Sequence, residues 1–226
     1  MYKFIFIDLD DTILDFGAAE RMALGRAYRE AGIDTTDALL QRYARINQDY
    51  WEAYERGEIS RDRLLVERHA ALFREYGISM DPETVELEYR RYLGMGHFFI
   101  EGAEDCLRYL KSRGCRLFLA SNGIAETQYS RLRSAGIGPY FEQIFISEET
   151  GYHKPERAYF DYWFARIDGF DRASALLLGD SISSDIRGGK AAGLATCWFN
   201  PKQKPIPPDC VPDYVIHHLS ELRQIL

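Results

Sequence analysis

The 226-residue sequence predicts an α/β fold: a doubly wound parallel sheet covered by helices on both faces, giving a three-layer core with an all-helical insertion. Three observations support this prediction. Short apolar runs recur along the chain, helical periodicity fills the stretches between most of them, and one long stretch near the N-terminus is helical throughout. Because 46 % of the residues are hydrophobic, the chain can bury a large core.

Short apolar runs predict the strands. A continuous apolar run of this kind is typical of a parallel strand that is buried on both faces. Helical patterns separate the later runs, and Gly114, Gly136 and Gly169 follow these patterns where a helix C-cap is expected. A proline-rich loop at 202–212 precedes a last short strand and helix. The five main strands are predicted at 3–8, 115–120, 143–146, 173–178 and 195–199, and the helices between them at 103–110, 126–132 and 157–167.

Residues 16–97 break this alternation, because they contain only helical patterns. Apolar and aromatic residues recur there every three or four positions. One helix start is marked by Asp81, a capping carboxylate, followed by Pro82 at the first helical position. We therefore predict a helical cap domain at 16–97, inserted into an α/β catalytic core formed by 1–15 and 98–226.

The composition excludes several classes of protein. A net charge of −7 and a pI near 5.3 disfavour nucleic acid as a partner. The four cysteines form no CxxC pair, which argues against a zinc site and against a disulfide framework. The N-terminus lacks the pattern of a signal peptide, and no run approaches the ~20 apolar residues of a membrane span. We expect a soluble, cytoplasmic protein that does not act at a membrane.

Candidate functional residues cluster at the predicted strand ends. In doubly wound sheets, ligands bind beyond the carboxyl ends of the strands, at the point where the strand order reverses. The residues at such ends are Asp8 and Asp10 after the first strand, Ser121 and Asn122 after the second, and Asp180 after the fourth, while Lys154 lies in the loop GYHKPE just before a helix.

These residue types suit phosphoryl transfer. Asp8 and Asp180 offer the oxygen ligands that Mg²⁺ prefers, and an aspartate beside a metal ion can attack phosphorus to form an aspartyl-phosphate. Asp10 can protonate the leaving oxygen and then take a proton from the attacking water. Ser121 and the backbone after it can donate hydrogen bonds to phosphoryl oxygens, whose charge Lys154 can neutralise.

The order and spacing of these residues resemble the haloacid dehalogenase (HAD) superfamily. Its four motifs correspond to Asp8-Leu9-Asp10-Asp11-Thr12, Ser121-Asn122, Lys154-Pro155 and Gly179-Asp180-Ser181-x-x-x-Asp185. The segment after the first motif looks like the C1-type cap of that family. The stretches DLDDTILDF, YSRLRSAG, FISEETGYHKP and GDSISSDIRGG further resemble one branch, the YjjG-type pyrimidine 5′-nucleotidases, along nearly the whole chain.

The resemblance implies a Mg²⁺-dependent phosphomonoesterase that acts on a small phosphate ester, with pyrimidine nucleoside monophosphates as the expected substrates. It also implies a role for each motif residue. Asp8 is the nucleophile and a metal ligand, and Asp10 is the acid–base and binds metal through its carbonyl. Ser121 with Asn122 binds the phosphate, whose charge Lys154 neutralises. Asp180 is a metal ligand, and Asp185 lies beside the metal or orients the lysine.

Other functions remain open at this point. A phosphatase for phosphoglycolate or a sugar phosphate uses the same core, as does a phosphomutase. A 2-haloacid dehalogenase is disfavoured because it needs no acid–base at Asp10, and a phosphonate hydrolase because residues 16–97 contain no lysine. A non-catalytic, receiver-like binding domain is disfavoured by the helical insertion. The sequence is compatible with a monomer or a homodimer.

Several further residues carry simpler expectations. We expect Asp11 to shape the turn after the first strand and Thr12 to bond to local backbone or to orient a carboxylate. His97 and His153 are predicted to be structural. A stripe of aromatic residues at 50, 51 and 54 is expected in the core of the cap, with contact to a nucleobase as the alternative.

Overall fold

A six-stranded parallel sheet is the centre of the computed structural model, which describes residues 2–226. The strands are β1 (Phe4–Ile7), β2 (Arg116–Ser121), β3 (Gln143–Ile146), β4 (Ala175–Gly179), β5 (Ala195–Phe199) and β6 (Tyr214–Ile216). They lie in the order β3-β2-β1-β4-β5-β6, and all neighbouring pairs are parallel. The predicted doubly wound α/β fold is confirmed.

Nine α-helices occur in the part of the chain that the structure describes. They are α1 (Phe16–Glu30), α2 (Asp37–Glu55), α3 (Arg61–Tyr76), α4 (Pro82–Leu93), α5 (Ala103–Ser112), α6 (Ala125–Ala135), α7 (Ser147–Thr150), α8 (Arg157–Phe164) and α9 (Arg187–Ala191). None of the helices at residues 2–226 is both long and apolar enough to cross a membrane. The predicted final helix is a 3₁₀ segment, Leu219–Gln224.

Strand β1 marks the switch point of the sheet. The chain continues from β1 to β2 and β3 on one side, and then to β4, β5 and β6 on the other. The carboxyl ends of β1 and β4 are therefore adjacent, and the backbone N–H of Asp8 donates to Leu178 O over 2.9 Å there. Crossovers that leave in opposite directions open a crevice at such a point, where ligands of doubly wound sheets bind.

Aromatic packing covers one face of the sheet. Phe6 of β1 stacks on Phe118 of β2 and on Trp163 of α8, with ring centroids 5.1 Å and 4.9 Å apart. Tyr159 meets Trp163 edge to face at 4.4 Å. These rings are almost completely buried, and each aromatic side chain removes a large apolar area from water. The packing holds the strand that carries Asp8 in a rigid interior.

The chain divides into two units, each described here by itself. The first contains residues 1–15, 98–125 and 135–226, and thus the sheet. The second contains residues 16–97 and 126–134, and thus α1 to α4 with most of α6. Asp81 caps α4 through the Thr84 N–H, with proline in the first turn, as predicted from the sequence.

Helix α6 differs from the expectation that residues 98–226 all belong to the core. Its residues 126–134 group with the helical unit. Arg131 is buried there and donates from Nε to Gly96 O over 2.9 Å, while its guanidinium lies over the Phe16 ring. Amphipathic periodicity shows that a helix has an apolar face but not which surface covers that face, so the sequence could not assign α6.

A buried polar network holds the helical unit together. Arg68 donates to both carboxylate oxygens of Glu86 at 2.8 Å and to Asn47 Oδ1 at 2.8 Å, and Asn47 donates in turn to Glu20 at 2.7 Å. All four side chains are buried and come from four different helices, α1 to α4. A buried guanidinium is tolerated because its carboxylate partner and its hydrogen bonds are all supplied internally.

His69 extends this network and is completely buried. Its Nε2 lies 2.8 Å from Glu86 Oε2 and 3.1 Å from the Tyr43 hydroxyl, and its Nδ1 lies 2.8 Å from the Tyr28 hydroxyl. Burial lowers the pKa of His69, and the Arg68 charge lowers it further against the opposing effect of Glu86. A neutral imidazole that donates to Glu86 and accepts from Tyr28 satisfies both nitrogens.

We expect acidification to destabilise the protein through His69. Because its folded-state pKa lies below the value of about 6.5 of an unfolded chain, the unfolded state takes up the proton first. The stability present above about pH 6.5 is therefore lost as the pH falls, by up to about 1.4 kcal/mol per pH unit. Urea unfolding between about pH 7.5 and 5 measures this loss.

The test compares His69→Gln with His97→Gln, which replaces an exposed histidine of the same unit. The His69→Gln protein should show the shallower fall in unfolding free energy on acidification. Equal profiles for the two variants would show that protonation of His69 contributes nothing to acid sensitivity.

Candidate active site

A buried lysine lies at the switch point of the sheet. Lys154 is only 2 % exposed, and its Nζ donates to Asp8 Oδ1 at 2.5 Å, to Asp185 Oδ1 at 2.7 Å and to Ala120 O at 2.9 Å. These acceptors come from the ends of β1 and β2 and from the segment after β4. Three acceptors account for the three N–H groups of an ammonium ion, so each donor of Lys154 has a partner within the protein.

Three carboxylates surround this lysine. Asp8, Asp180 and Asp185 each offer one oxygen, and these oxygens lie within 4.8 Å of one another. Burial raises the pKa of Asp8 to about 8, with Lys154 opposing and Asp185 adding to the increase. Burial likewise raises the pKa of Asp180 well above its ordinary value, and the charges of Asp8 and Asp185 raise it further. The site holds more negative charge than its own residues neutralise.

Formal charges show the size of this excess. Burial acts to lower the pKa of Lys154, but the carboxylates of Asp185 and Asp8 outweigh it and raise that pKa well above its usual value. With all three carboxylates ionised, one ammonium leaves two negative charges, a state that the raised pKa values of Asp8 and Asp180 disfavour without a cation. An all-oxygen set of ligands with this charge suits a hard divalent cation of the Mg²⁺ type, so the residues fit the cation that the sequence analysis expects.

The segment after β4 places two of the carboxylates. It forms a five-residue π-helical turn, Ile182–Ile186, in which Asp185 Oδ2 accepts from the Ser181 N–H at 3.2 Å. A Cβ on Gly179 would lie 2.3 Å from the Asp185 carboxyl carbon, so only glycine leaves room for this carboxylate. π-Helical turns of this kind occur frequently at functional sites.

The turn after β1 carries the second predicted catalytic acid. Asp10 lies two residues beyond Asp8 and is half-buried, within a turn closed by the Asp11 N–H donating to Leu14 O at 2.8 Å. Asp11 has a φ of +55°, in agreement with a turn-shaping role. Thr12 differs from expectation, because its buried Oγ1 has no hydrogen-bond partner in the described chain.

Asn122 holds the backbone of Lys154. Its side-chain amide bonds to the Lys154 backbone in both directions, from Nδ2 to Lys154 O and from Lys154 N to Oδ1, each at 2.9 Å. His153 Nδ1 lies 3.0 Å from the same carbonyl. Asn122 therefore holds the Lys154 peptide in place, and with both groups of its amide used there, phosphate binding by this side chain stays only a prediction.

Ser121 ends β2 and is 1 % exposed. Its Oγ accepts a hydrogen bond from the Gly123 N–H at 3.1 Å, which directs the hydroxyl to the loop before α6. The Tyr159 hydroxyl, from α8, donates to Phe145 O at 2.7 Å. The same hydroxyl lies 3.3 Å from Ser121 O, so it supports the end of β2. Phosphate binding by Ser121 likewise remains a prediction.

The remaining candidates belong to the helical unit. His97 is exposed and bonds to Ser134 over 2.6 Å. In the aromatic stripe, Trp51 packs edge to face on Tyr54 at 5.8 Å, and the Tyr54 hydroxyl accepts from Arg61 at 2.7 Å. Tyr54 is buried and Trp51 is half-buried.

The sequence analysis assigned no role to two residues that shape the site. Gly179 gives Asp185 its space, and the indole N–H of Trp198 donates to Asp180 O at 2.8 Å. A glycine that ends an apolar strand directly before an aspartate was a usable signal for the first. Trp198 gave no such signal, because its role depends on which strand lies next to β5.

This chain is similar to known proteins along its whole length. The B. subtilis HAD-hydrolase YfnB is 44 % identical over 225 residues, spanning 100 % of this chain and 95 % of its own. A crystal structure of YfnB bound to magnesium matches with a TM-score of 0.95 and covers 100 % of this chain and 98 % of that one.

Two further relatives extend over the whole chain. The pyrimidine 5′-nucleotidase PynA of Streptococcus pneumoniae is 35 % identical over 225 residues, with 95 % of its own length covered. The pyrimidine 5′-nucleotidase YjjG of Escherichia coli is 30 % identical over 227 residues, with 98 % covered. They confirm the resemblance to the YjjG-type branch. Since the profile of the haloacid dehalogenase-like hydrolases also matches residues 2–193, the chain belongs to that hydrolase family.

Proposed function

We propose that this protein is a Mg²⁺-dependent phosphomonoesterase that forms an aspartyl-phosphate on Asp8 and acts on pyrimidine nucleoside 5′-monophosphates. One observation carries the proposal. The buried Lys154 ammonium bonds to Asp8 and to Asp185, and Asp180 completes a cluster whose excess negative charge calls for a divalent cation. The charge and ligand type support Mg²⁺, which when bound would polarise a phosphoryl oxygen and screen the carboxylates from the anionic substrate.

In the first step, a carboxylate oxygen of Asp8 attacks phosphorus. The P–O bond to the leaving group breaks, and Asp10 gives its proton to the departing oxygen, so that an alcohol leaves and a phosphoryl group remains on Asp8. Lys154 holds the Asp8 carboxylate through Oδ1 and limits its rotation. Because every Lys154 donor is already engaged, its charge acts on the phosphoryl group from within the cluster, and a direct hydrogen bond requires one contact to be exchanged.

In the second step, water attacks the phosphorus of the aspartyl-phosphate. Asp10, now deprotonated, accepts a proton from that water. The bond between phosphorus and the Asp8 carboxylate oxygen breaks, so inorganic phosphate leaves and the Asp8 carboxylate is restored. Ser121 is assigned to the phosphoryl oxygens, and Asp185 to the orientation of Lys154 as well as to the cation side of the cluster. The residues that ligate the cation in this proposal are Asp8, Asp180 and Asp185, with the carbonyl of Asp10.

The choice of substrate rests on similarity. Two relatives named pyrimidine 5′-nucleotidases are 35 % and 30 % identical to this chain over its full length. The HAD core supplies the chemistry, whereas the selection of a leaving group resides in residues outside it. Phosphoglycolate and sugar phosphates are the competing substrate class.

Removal of the divalent cation should lower stability as well as activity. We expect saturating Mg²⁺ to raise the unfolding temperature of the wild-type protein, since a ligand that binds only the folded state stabilises it by about 2.7 kcal/mol at a hundred times its Kd. Asp180→Asn should lose this increase, while Asp209→Asn, an exposed carboxylate paired with Arg187, should keep it. Phosphatase activity that survives EDTA would contradict the metal requirement.

Replacement of the nucleophile should abolish turnover without unfolding the protein. In Asp8→Asn the amide cannot form an aspartyl-phosphate, so we expect the release of phosphate to fall by at least about 10³-fold. Asp11→Asn is the matched control, because it removes a carboxylate from the same turn and asparagine tolerates the φ of +55°. Phosphate release by Asp8→Asn at a rate near that of the control would refute the mechanism.

A panel of phosphate esters tests the substrate. We expect kcat/KM for UMP, CMP and dTMP to exceed that for purine monophosphates, sugar phosphates and phosphoglycolate, because the two nucleotidase relatives span the full length of this chain. Phosphate release measured at equal Mg²⁺ gives the comparison. If a sugar phosphate exceeded every nucleotide about tenfold, a difference of about 1.4 kcal/mol in transition-state binding, the nucleotidase assignment would be wrong.

A further inference from the structure

Trp198 contacts the acidic cluster from the neighbouring strand. It lies in β5, where Trp198 is the register partner of Gly179 at the end of β4. Its indole Nε1 donates to the backbone oxygen of Asp180 over 2.8 Å, and the side chain is only 1 % exposed. The hydrogen bond therefore holds the peptide group of a predicted cation ligand from a direction that solvent cannot reach.

The same side chain packs against the far end of the segment that carries the carboxylates. Trp198 shares an apolar cluster with Ile186, which follows Asp185 directly, and with the partly buried Ile182. One indole thus bonds to the segment before its π-helical turn, at Asp180, and shares an apolar cluster with the first and last residues of the turn. Asp180 lies two residues before this turn and Asp185 is its fourth residue, so the ring packs on the backbone segment that separates the two carboxylates.

We propose that Trp198 is a positioning residue for the acidic cluster, and that its N–H group sets the affinity of the site for a divalent cation. This inference rests on the proposed function, which supplies the cation. Groups that orient metal ligands without touching the metal contribute about 10- to 100-fold to affinity or activity. A neutral donor suits the task, because it orients the Asp180 peptide without cancelling charge that the cation needs.

Trp163 shows that burial of an indole in this protein does not by itself imply such a role. It is completely buried in the aromatic core on Phe6, yet its Nε1 has no hydrogen-bond partner in the described chain. The two tryptophans share residue type and burial and differ in whether the N–H group is used. Trp163→Phe is therefore a matched control for Trp198→Phe.

The first experiment measures Mg²⁺ binding to the full chain by titration calorimetry. We expect Trp198→Phe to weaken Mg²⁺ binding about tenfold and Trp163→Phe to leave it unchanged, whatever each substitution does to the unfolding temperature. The kcat of Trp198→Phe should return to the wild-type value when Mg²⁺ is raised to saturation, which a general loss of packing would not allow.

Calorimetry also separates the two proposals. Equal Mg²⁺ affinity for wild type and Trp198→Phe, or an equal loss in both tryptophan variants, would overturn the role of Trp198 while leaving the proposed function intact. A wild-type protein that binds no Mg²⁺ would overturn both.

A second measurement needs no substitution at Trp198. The chain has three tryptophans, so ¹⁵N-tryptophan labelling gives three indole N–H resonances, and Trp51→Phe and Trp163→Phe identify two of them. Added Mg²⁺ should shift the Trp198 resonance, because its acceptor belongs to Asp180, and should leave the Trp163 resonance in place. An unmoved Trp198 resonance at saturating Mg²⁺ would contradict the inference.

Discussion

The buried ammonium of Lys154 is the interaction on which the rest of the site depends. Its three acceptors come from the turn after β1, from β2 and from the turn after β4, so one side chain links three neighbouring strand ends. A charge that is only 2 % exposed cannot be left without partners, since losing one partner of a buried pair costs about 3–5 kcal/mol. This requirement fixes Asp8 and Asp185 relative to each other before any ligand arrives. The Lys154 backbone is held as well, because Asn122 bonds to both its N–H and its carbonyl oxygen.

The same cluster is unfavourable on its own, and that is consistent with its proposed use. Three carboxylates share one ammonium group, and burial raises the pKa of both Asp8 and Asp180. Gly179 permits this crowding, because any side chain at that position would occupy the space of the Asp185 carboxylate. Local interactions that are unfavourable for stability persist where the surrounding structure over-determines them, and the aromatic core beneath β1 supplies that rigidity here. The helical unit shows the opposite design, since its buried Arg68 donates to both carboxylate oxygens of Glu86.

The parts of the site that could be predicted from the sequence are those that lie at strand ends. Apolar runs identified the strands, and because the carboxyl ends of parallel strands meet at one edge, Asp8, Ser121 and Asp180 could be placed together. The partners of Asn122 and Trp198 could not be predicted, because both depend on contacts between distant parts of the chain. The partner of Asn122 depends on the path of the loop before Lys154, and that of Trp198 on the pairing of β5 with β4. The grouping of residues 126–134 with the helical unit was unpredictable for a related reason, since an apolar face does not specify its cover. Sequence patterns thus identify charged groups more readily than the neutral groups that orient them.

Charged groups of the site are easier to identify from the sequence than neutral ones for a physical reason. The charged residues stand out because burying them without partners is costly, so their presence at strand ends demands an explanation. Apart from Lys154 itself, the groups that hold them are an amide, an indole and backbone N–H groups, which have ordinary uses throughout a protein. Neutral donors can fix the Lys154 peptide, the Asp180 peptide and the Asp185 carboxylate without adding positive charge. Had arginine or lysine taken these places, the excess negative charge would have been cancelled, and with it the attraction for a divalent cation. The neutrality of the supporting groups is therefore as much a part of the site as the charge of the residues they hold.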